Sequence, residues 1–407
     1  MKKIALNLFA LGLVASVFTA CDDAKYDTID NMVYISEATG NDPSSEIVVG
    51  QAGTESSTKI TIRMAQRATA DVKVQLQMDE NTLAAYNKRN ETEFVMIPAE
   101  YVSFPSEVVI PAGASQVEAA ITITSFDGEA GVDYAAPIKI AGAHGVEVAN
   151  ATSSFIVTLG KTLIQKAPGF SYNNAMTMNW EEPVEFTNLT LEWWVRVVNT
   201  TGNGGFSVNN QALFDFQKED KKPELYIRFG DITYGGQDTR PGKHEFLQIK
   251  TMGIDANYDS GDPNDESKKL PWGTWIHFAH TYDAATGDVV LYKNGVEVNR
   301  ANGGKGTILK YNGLSMCSSG RTYFRDYIEM CQVRLWKTTR SAAQIQKFMN
   351  KEVKYTDPNL VFYLPMNEGQ GSVLHDVTGN GYDVTIGSHE SNGGNNQAHS
   401  WTEYSFE

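Results

Sequence analysis

The chain has 407 residues, more than the roughly 100–200 of a single domain, so two or more folding units with ample core are expected. With 34 basic and 49 acidic residues the net charge is −15, which leaves no clustered Lys/Arg field to hold nucleic acid. Charged residues are only 20% of the chain, 18 Phe, 18 Tyr, 7 Trp and 35 Gly accompany them, and three cysteines are too few for a disulfide framework, so a globular protein rich in strands and turns is expected.

Met1-Lys2-Lys3 precedes an apolar run from Ile4 to Val17, the pattern of a secretory signal peptide over residues 1–20. The run falls short of the roughly 20 residues that a membrane span needs. It ends in Phe18-Thr19-Ala20-Cys21, which resembles the bacterial lipobox, with Phe18 where Leu is usual. An ordinary signal peptide followed by a chance cysteine is the plainer alternative. The resemblance implies lipidation at Cys21 and an acyl anchor in outer-membrane lipid, since two or more acyl chains hold a protein stably. Asp22 and Asp23 are similar to the surface-export signal of lipoproteins in glycan-foraging Gram-negative anaerobes, although residues 21–30 also read simply as an acidic, solvated tether. Loss of Lys2 and Lys3 with the signal moves the net charge from −15 to −17.

Beyond the tether the composition breaks near residue 161. All seven Trp and six of the seven His follow it, so the halves are not repeats of one unit. In residues 31–161, Lys59-Ile60-Thr61-Ile62-Arg63, Val72 to Met78, Ala120 to Thr124 and Phe155 to Leu159 alternate apolar and polar residues, as half-buried strands do. Turn chemistry at Pro111-Ala112-Gly113 and Asp127-Gly128 separates them, and a short helix is expected over Asn81 to Asn90. The pattern predicts an immunoglobulin-like β-sandwich. Val33-Tyr34-Ile35, Pro98-Ala99-Glu100-Tyr101, Ile110 to Gly113 and Tyr134 to Ile140 resemble a lipoprotein N-terminal domain of unknown function that precedes LamG or family-18 endoglycosidase modules. That resemblance implies a spacer or docking role.

In residues 168–407, Asn188 to Val197 is an alternating strand, and Trp275 to Asp283 is followed by Val289 to Val298 across Asn294-Gly295, the dipeptide of a two-residue hairpin turn. Met330 to Trp336 reads as a strand. Ser341 to Val353 reads as a helix, with Ser341 and Gln344 forming a capping box and Ile345, Phe348 and Met349 on one face. Trp275, His277, Tyr282-Asp283, Leu291-Tyr292, Asn294-Gly295, Val333-Arg334-Leu335-Trp336 and the closing segment Leu360 to Gly381 resemble the LamG-like, concanavalin A-like jelly roll of bacterial surface proteins. The expected fold class is therefore all-β, with an immunoglobulin-like β-sandwich followed by a concanavalin A-like (LamG) jelly roll. Relatives usually carry an acidic pair where Cys331-Gln332 stands, and the difference places any metal site built on those acids in doubt.

The sequence holds no Gly-x-Ser-x-Gly, His-Glu-x-x-His or Cys-x-x-Cys and no phosphate-binding glycine loop. The Glu-x-Asp-x-x-Glu string of laminarinase-type relatives is missing too. Glu181-Glu182 and Glu185 come nearest, but adjacent carboxylates on a strand face opposite ways. A non-catalytic glycan partner remains, bound by an aromatic ring on the apolar sugar face and polar groups at its edge. The candidate contacts are Trp272 in its turn, Tyr234 with Arg240, and Tyr323 with Arg325. Each is also readable as a partly buried loop residue, while Trp193, Trp275 and Trp336 fit the core.

A structural calcium ion is the one cofactor raised, on Asp255, Asn257, Asp259 and Glu266. Gly261 falls one position late for a calcium loop, and a solvated acidic loop is the alternative. Turn chemistry at Asp376 to Gly381, where relatives often bind calcium, needs no ion. Cys317 and Cys331 are expected on hairpin partners, either as a disulfide or as two small buried thiols. Together these readings describe a glycan-binding lipoprotein at the outer-membrane surface, acting with other glycan-utilisation surface proteins. The alternatives are a protein-binding or adhesive LamG module and a glycoside hydrolase with an unrecognised site.

Overall fold

A computed structural model describes residues 31–40, 43–50, 52–171, 173–198, 210–217, 224–230, 245–254, 258–261, 265–318, 326–388 and 396–406. The first module contains β1 (Val33–Ile35), β2 (Ser44–Val49), β3 (Glu55–Met64), β4 (Val72–Met78), β5 (Val95–Met96), β6 (Val102–Ser103), β7 (Glu107–Ile110), β8 (Gln116–Thr124), β9 (Tyr134–Ala143) and β10 (Ser154–Lys161). One sheet runs β1-β3-β8-β6 and the other β2-β10-β9-β4-β7, with β5 on β9. Alternation decides which side chains meet between them: Ile60, Ile62, Ile121 and Ile123 from the first sheet pack on Val74, Ile138 and Val157 from the second.

Helix α1 (Glu80–Asn90) starts one residue before the expected Asn81. Asp79 caps it by accepting the Thr82 N–H at 3.0 Å. Leu83 and Tyr86 bury its inner face on Ala135 and Ile156.

The second module contains β11 (Leu163–Phe170), β12 (Asn174–Phe186), β13 (Asn188–Val198), β14 (Gln211–Gln217), β15 (Leu225–Phe229), β16 (Leu247–Thr251), β17 (Ile276–Asp283), β18 (Asp288–Lys293), β19 (Val296–Asn302), β20 (Leu309–Met316), β21 (Tyr327–Trp336), β22 (Leu360–Leu364), β23 (Val373–Leu374), β24 (Val384–Ser388) and β25 (Ser400–Phe406). Its front sheet is β16-β15-β14-β20-β12-β24-β23. Its back sheet is β19-β18-β17-β13-β21-β11-β25, with β22 on β21. Trp193 of the back sheet stands edge-on to Phe214 of the front sheet, with ring centroids 5.1 Å apart, in the core between them. The protein is thus all-β in architecture, a sandwich followed by a jelly roll.

The Asn294-Gly295 hairpin forms as its chemistry requires, with φ of 50° and 75° joining β18 to β19. Helix α2 (Ala342–Phe348) has the full Ser341/Gln344 capping box. It stops at Phe348, short of the expected Val353, and the buried Arg334 accounts for the ending. Its Nη1 donates to the Phe348 carbonyl at 2.9 Å and its Nη2 to the Lys351 carbonyl at 2.6 Å, satisfying groups that a longer helix would have used itself.

The modules meet closely. β10 ends at Lys161 and β11 begins at Leu163, inside the stretch expected to precede the second module at residue 168. Asp133 of the first module lies 3.2 Å from Lys347 Nζ and 3.7 Å from Lys351 Nζ. Gly131, at φ +70°, passes so near that a Cβ would stand 1.9 Å from the Lys354 nitrogen.

Of the two readings left open for Cys317 and Cys331, the structure has the small buried thiols and not the disulfide. Both are free, buried thiols, and they do not face each other across a hairpin. Cys317 follows β20 in the front sheet, whereas Cys331 lies within β21 in the back sheet, so the two strands are not ladder partners. Burial raises both thiol pKa values far above the ordinary range.

Candidate binding site

The two outer faces of the jelly roll differ. On the back sheet, strand alternation turns Glu192 and Trp194 away from the core, and His277 pairs across from Trp194. This face is closed. Ile345 of α2 is buried with Ala279, Val290 and Tyr292, while Arg340 lies 4.4 Å above the Trp336 ring. Arg340 Nη1 donates to Glu192 Oε1 at 2.8 Å, and Glu192 Oε2 is 3.7 Å from His277 Nε2. Burial, with Arg334 and Arg340 adding to it, holds the His277 pKa well below its usual value, so the ring is neutral at neutral pH. The Glu192 carboxylate is consumed by the fold.

The same is true of Gln332. It takes φ +56° at a bulge between β13 and β21. Its Oε1 accepts from Arg334 Nη2 at 2.5 Å and from the Tyr363 hydroxyl, and its Nε2 donates to Gln165 at 2.5 Å. An amide inside this closed network has no oxygen to spare for a cation.

The outer face of the front sheet is polar. Leu225, Ile227 and Phe229 point into the core, which turns Tyr226 and Arg228 outward. Arg228 Nε and Nη2 both donate to Gln248 Oε1, at 2.9 and 2.7 Å, and Nη1 donates to Asn210 Oδ1 at 2.6 Å. The Tyr226 hydroxyl reaches the same Asn210 oxygen at 3.2 Å. Asp215, opposite Tyr226 in the ladder, has its pKa raised by burial and by Glu224. At the strand ends Gln211 Nε2 donates to Asp326 Oδ2 at 2.5 Å and Gln211 Oε1 accepts the Asp326 N–H at 2.9 Å. Nothing in the sequence motifs singled out Tyr226, Arg228 or Gln248. The available signal was the alternation of Leu225 to Phe229.

Strand register brings the strand ends that flank the candidate residues to one end of the jelly roll. Val198, ending β13, pairs with Tyr327, which starts β21. Gln211, starting β14, pairs with Phe229, which ends β15 and in turn pairs with Leu247 at the start of β16. Met316, ending β20, pairs with Phe214 in the middle of β14, and the Cys317 N–H that follows donates to the Leu213 carbonyl. These strand ends therefore lie at the same end of the sandwich. The Trp272 turn is tied there as well, because Gly273 N–H donates to the Val197 carbonyl at 2.7 Å and Leu270 N–H to the Glu245 carbonyl at 2.8 Å.

Trp272 is 55% exposed, followed by Gly273 at φ +72°, so the turn holds a large flat ring in solvent. Trp193 and Trp336 are buried in their strands, and Trp275, just before β17, packs against the core. Tyr234, Arg240, Tyr323 and Arg325 lie outside the described residues, as do Cys21, Asp255 and Asn257. Of the proposed calcium ligands Asp259 alone has a described side chain; the Glu266 side chain is outside the description. Asp259 is buried beside β16, and its Oδ1 accepts the Gly261 N–H at 3.1 Å. Among the described residues no group of three His, Cys, Asp or Glu side chains is placed to hold a metal ion. Asp376 is used internally: its carboxylate accepts from Thr378, from the Tyr363 N–H at 3.0 Å and from the Tyr382 N–H at 3.2 Å.

Residues 29–147 match a family model for an N-terminal domain, and residues 170–346 match the concanavalin A-like lectin/glucanases superfamily. The second module belongs to this superfamily. Over 92% of this chain and 98% of the other, the fold is similar to that of a candidate carbohydrate-binding protein from Bacteroides ovatus, at a TM-score of 0.61 and 18% identity. That likeness is one of fold. EndoBT-3987 of Bacteroides thetaiotaomicron, solved with a Man5GlcNAc product, matches over 32% of this chain and 30% of its own, at 19% identity and a TM-score of 0.27. A pentraxin of Limulus polyphemus matches over 45% and 79%, at 12% identity and a TM-score of 0.32. No curated protein matches the chain.

Proposed function

We propose that the protein binds glycan without cleaving it, at the loop end of the jelly roll, as a lipid-anchored surface component of a glycan-utilisation system. The observation that carries this reading is Trp272: an indole 55% exposed in a glycine-fixed turn, at the end of the sandwich where β13, β15 and β20 finish. The superfamily of the second module and the Bacteroides ovatus fold relative support it. The non-catalytic part rests on the missing sequence signatures and on Glu192, a buried carboxylate paired with Arg340 rather than set in a cleft. Anchoring rests on the lipobox resemblance at Cys21. Among the described residues no helix is long and apolar enough to cross a membrane.

An adhesive, protein-binding role would call for a broad apolar surface. The exposed large apolar side chains of the described residues, Val48, Val95, Ile164, Trp272, Val296 and Ile308, instead lie on separate strands and turns. Affinity electrophoresis of residues 22–407 in gels containing plant and host glycans tests the proposal. Retardation by at least one glycan, reduced by Trp272→Ala, is expected; migration unchanged by every glycan would overturn it.

A further inference from the structure

The junction of the two modules forms a half-open cleft of about 360 Å³, within the roughly 300–1,000 Å³ range of small-molecule sites. It is remote from the Trp272 turn: Leu163, which lines it, begins β11, whose other end pairs with the start of β21. Both modules build it. Phe126, Tyr134 and Leu159 come from the first and Ile164 from the second, giving a partly apolar lining, with the Phe126 and Tyr134 rings edge to face at 5.1 Å. Glu129, Lys161, Glu352 and Glu403 supply acceptors and a donor around it. Tyr355 holds Glu352 by donating to its Oε1 at 3.0 Å.

Asp133 with Lys347 and Lys351, and the close passage of Gly131 by Lys354, fix the separation of the two walls. The cavity is therefore set by packing at the junction rather than by a free hinge.

The geometry points to this cleft as a second carbohydrate site, taking the end of a neutral oligosaccharide; the inference rests on the glycan-binding reading above. Aromatic and aliphatic surface covers the C–H face of a sugar ring, and carboxylates accept from its hydroxyls. Four lining carboxylates, of Glu129, Asp133, Glu352 and Glu403, outnumber the two lining ammonium groups of Lys161 and Lys351, so uronic acids and sulfated sugars are disfavoured. Ile164, 39% exposed on β11, is the position where a change alters the lining without entering a core.

Saturation-transfer NMR on the intact chain carrying Trp272→Ala tests this with maltose, cellobiose, mannobiose, chitobiose and digalacturonic acid. At least one neutral disaccharide should receive saturation and digalacturonic acid should not. Adding Ile164→Arg, or Ala52→Trp to fill the space, should weaken that binding about tenfold or more. If one of the two variants fails to fold by circular dichroism, the other is read. No transfer to any neutral disaccharide, equal transfer to digalacturonic acid, or transfer unaffected by the cleft variants would overturn the inference. If glycan gels still retard the wild-type chain in that case, only the cleft is lost; if they do not, the glycan-binding reading fails with it.

Discussion

Arg340 donates from Nη1 to Oε1 of Glu192 at 2.8 Å, and both side chains are buried beneath α2. A buried pair of this kind contributes little by itself, but removing one partner strands the other charge in a poorly solvating interior. Arg340→Leu should therefore cost about 3–5 kcal/mol in urea unfolding. Glu192→Gln combined with Arg340→Leu should recover part of that loss. Equal stability of Arg340→Leu and wild type would show that Glu192 is solvated.

His280 is buried with Nδ1 3.0 Å from the Tyr258 hydroxyl, and burial pushes its pKa down to about 3. His277 is displaced in the same direction. Both pKa values are depressed on folding, so between the ordinary histidine value of about 6.5 and the folded value the unfolded chain holds protons that the native chain does not. Stability is full above about pH 6.5 and declines as the pH falls, by up to about 1.4 kcal/mol per pH unit for each histidine. Denaturation between about pH 6.5 and 5, above the usual carboxylate range, isolates this effect. His280→Gln should flatten the slope, and a flat wild-type profile would contradict the assignment.

The thiols of Cys317 and Cys331 are free, buried and held protonated. A chain lacking Cys21 should show no reaction with a thiol reagent when native and two reactive thiols in denaturant without reductant. No reactive thiol in denaturant would instead establish a disulfide.

Gly131→Ala places a Cβ 1.9 Å from the Lys354 nitrogen at a φ of +70°. The second module must shift or the backbone must change, at a cost of about 1–3 kcal/mol. Small-angle scattering should report a larger radius of gyration; an unchanged radius and melting curve would show that the modules do not meet there.

Much of the architecture was legible because local chemistry and tertiary context agree. Ile60 and Ile62 alternate with polar neighbours and do face a core; Asn294-Gly295 does turn a hairpin; Ser341 and Gln344 do cap a helix. The readings departed from the structure where distant residues intervene. The end of α2 depends on Arg334, a guanidinium from the neighbouring sheet. The cysteine reading assumed that two consecutive strands would pair, whereas this chain crosses from the front sheet to the back between β20 and β21. For the candidate site, Trp272 could be located from turn chemistry alone. The joining of Arg228 to Gln248 and Asn210 depends on the register of β15 against β16, which no local pattern specifies.

The proposed glycan contact of the jelly roll includes Trp272. A glycan array probed with residues 22–407, wild type and Trp272→Ala side by side, addresses it most directly. Binding to a related set of glycans is expected, weakened about tenfold in the variant, whose stability should stay within about 0.5 kcal/mol of wild type. Wild-type protein that binds no glycan on the array would contradict the claim, and equal binding by the two proteins would remove Trp272 from the site.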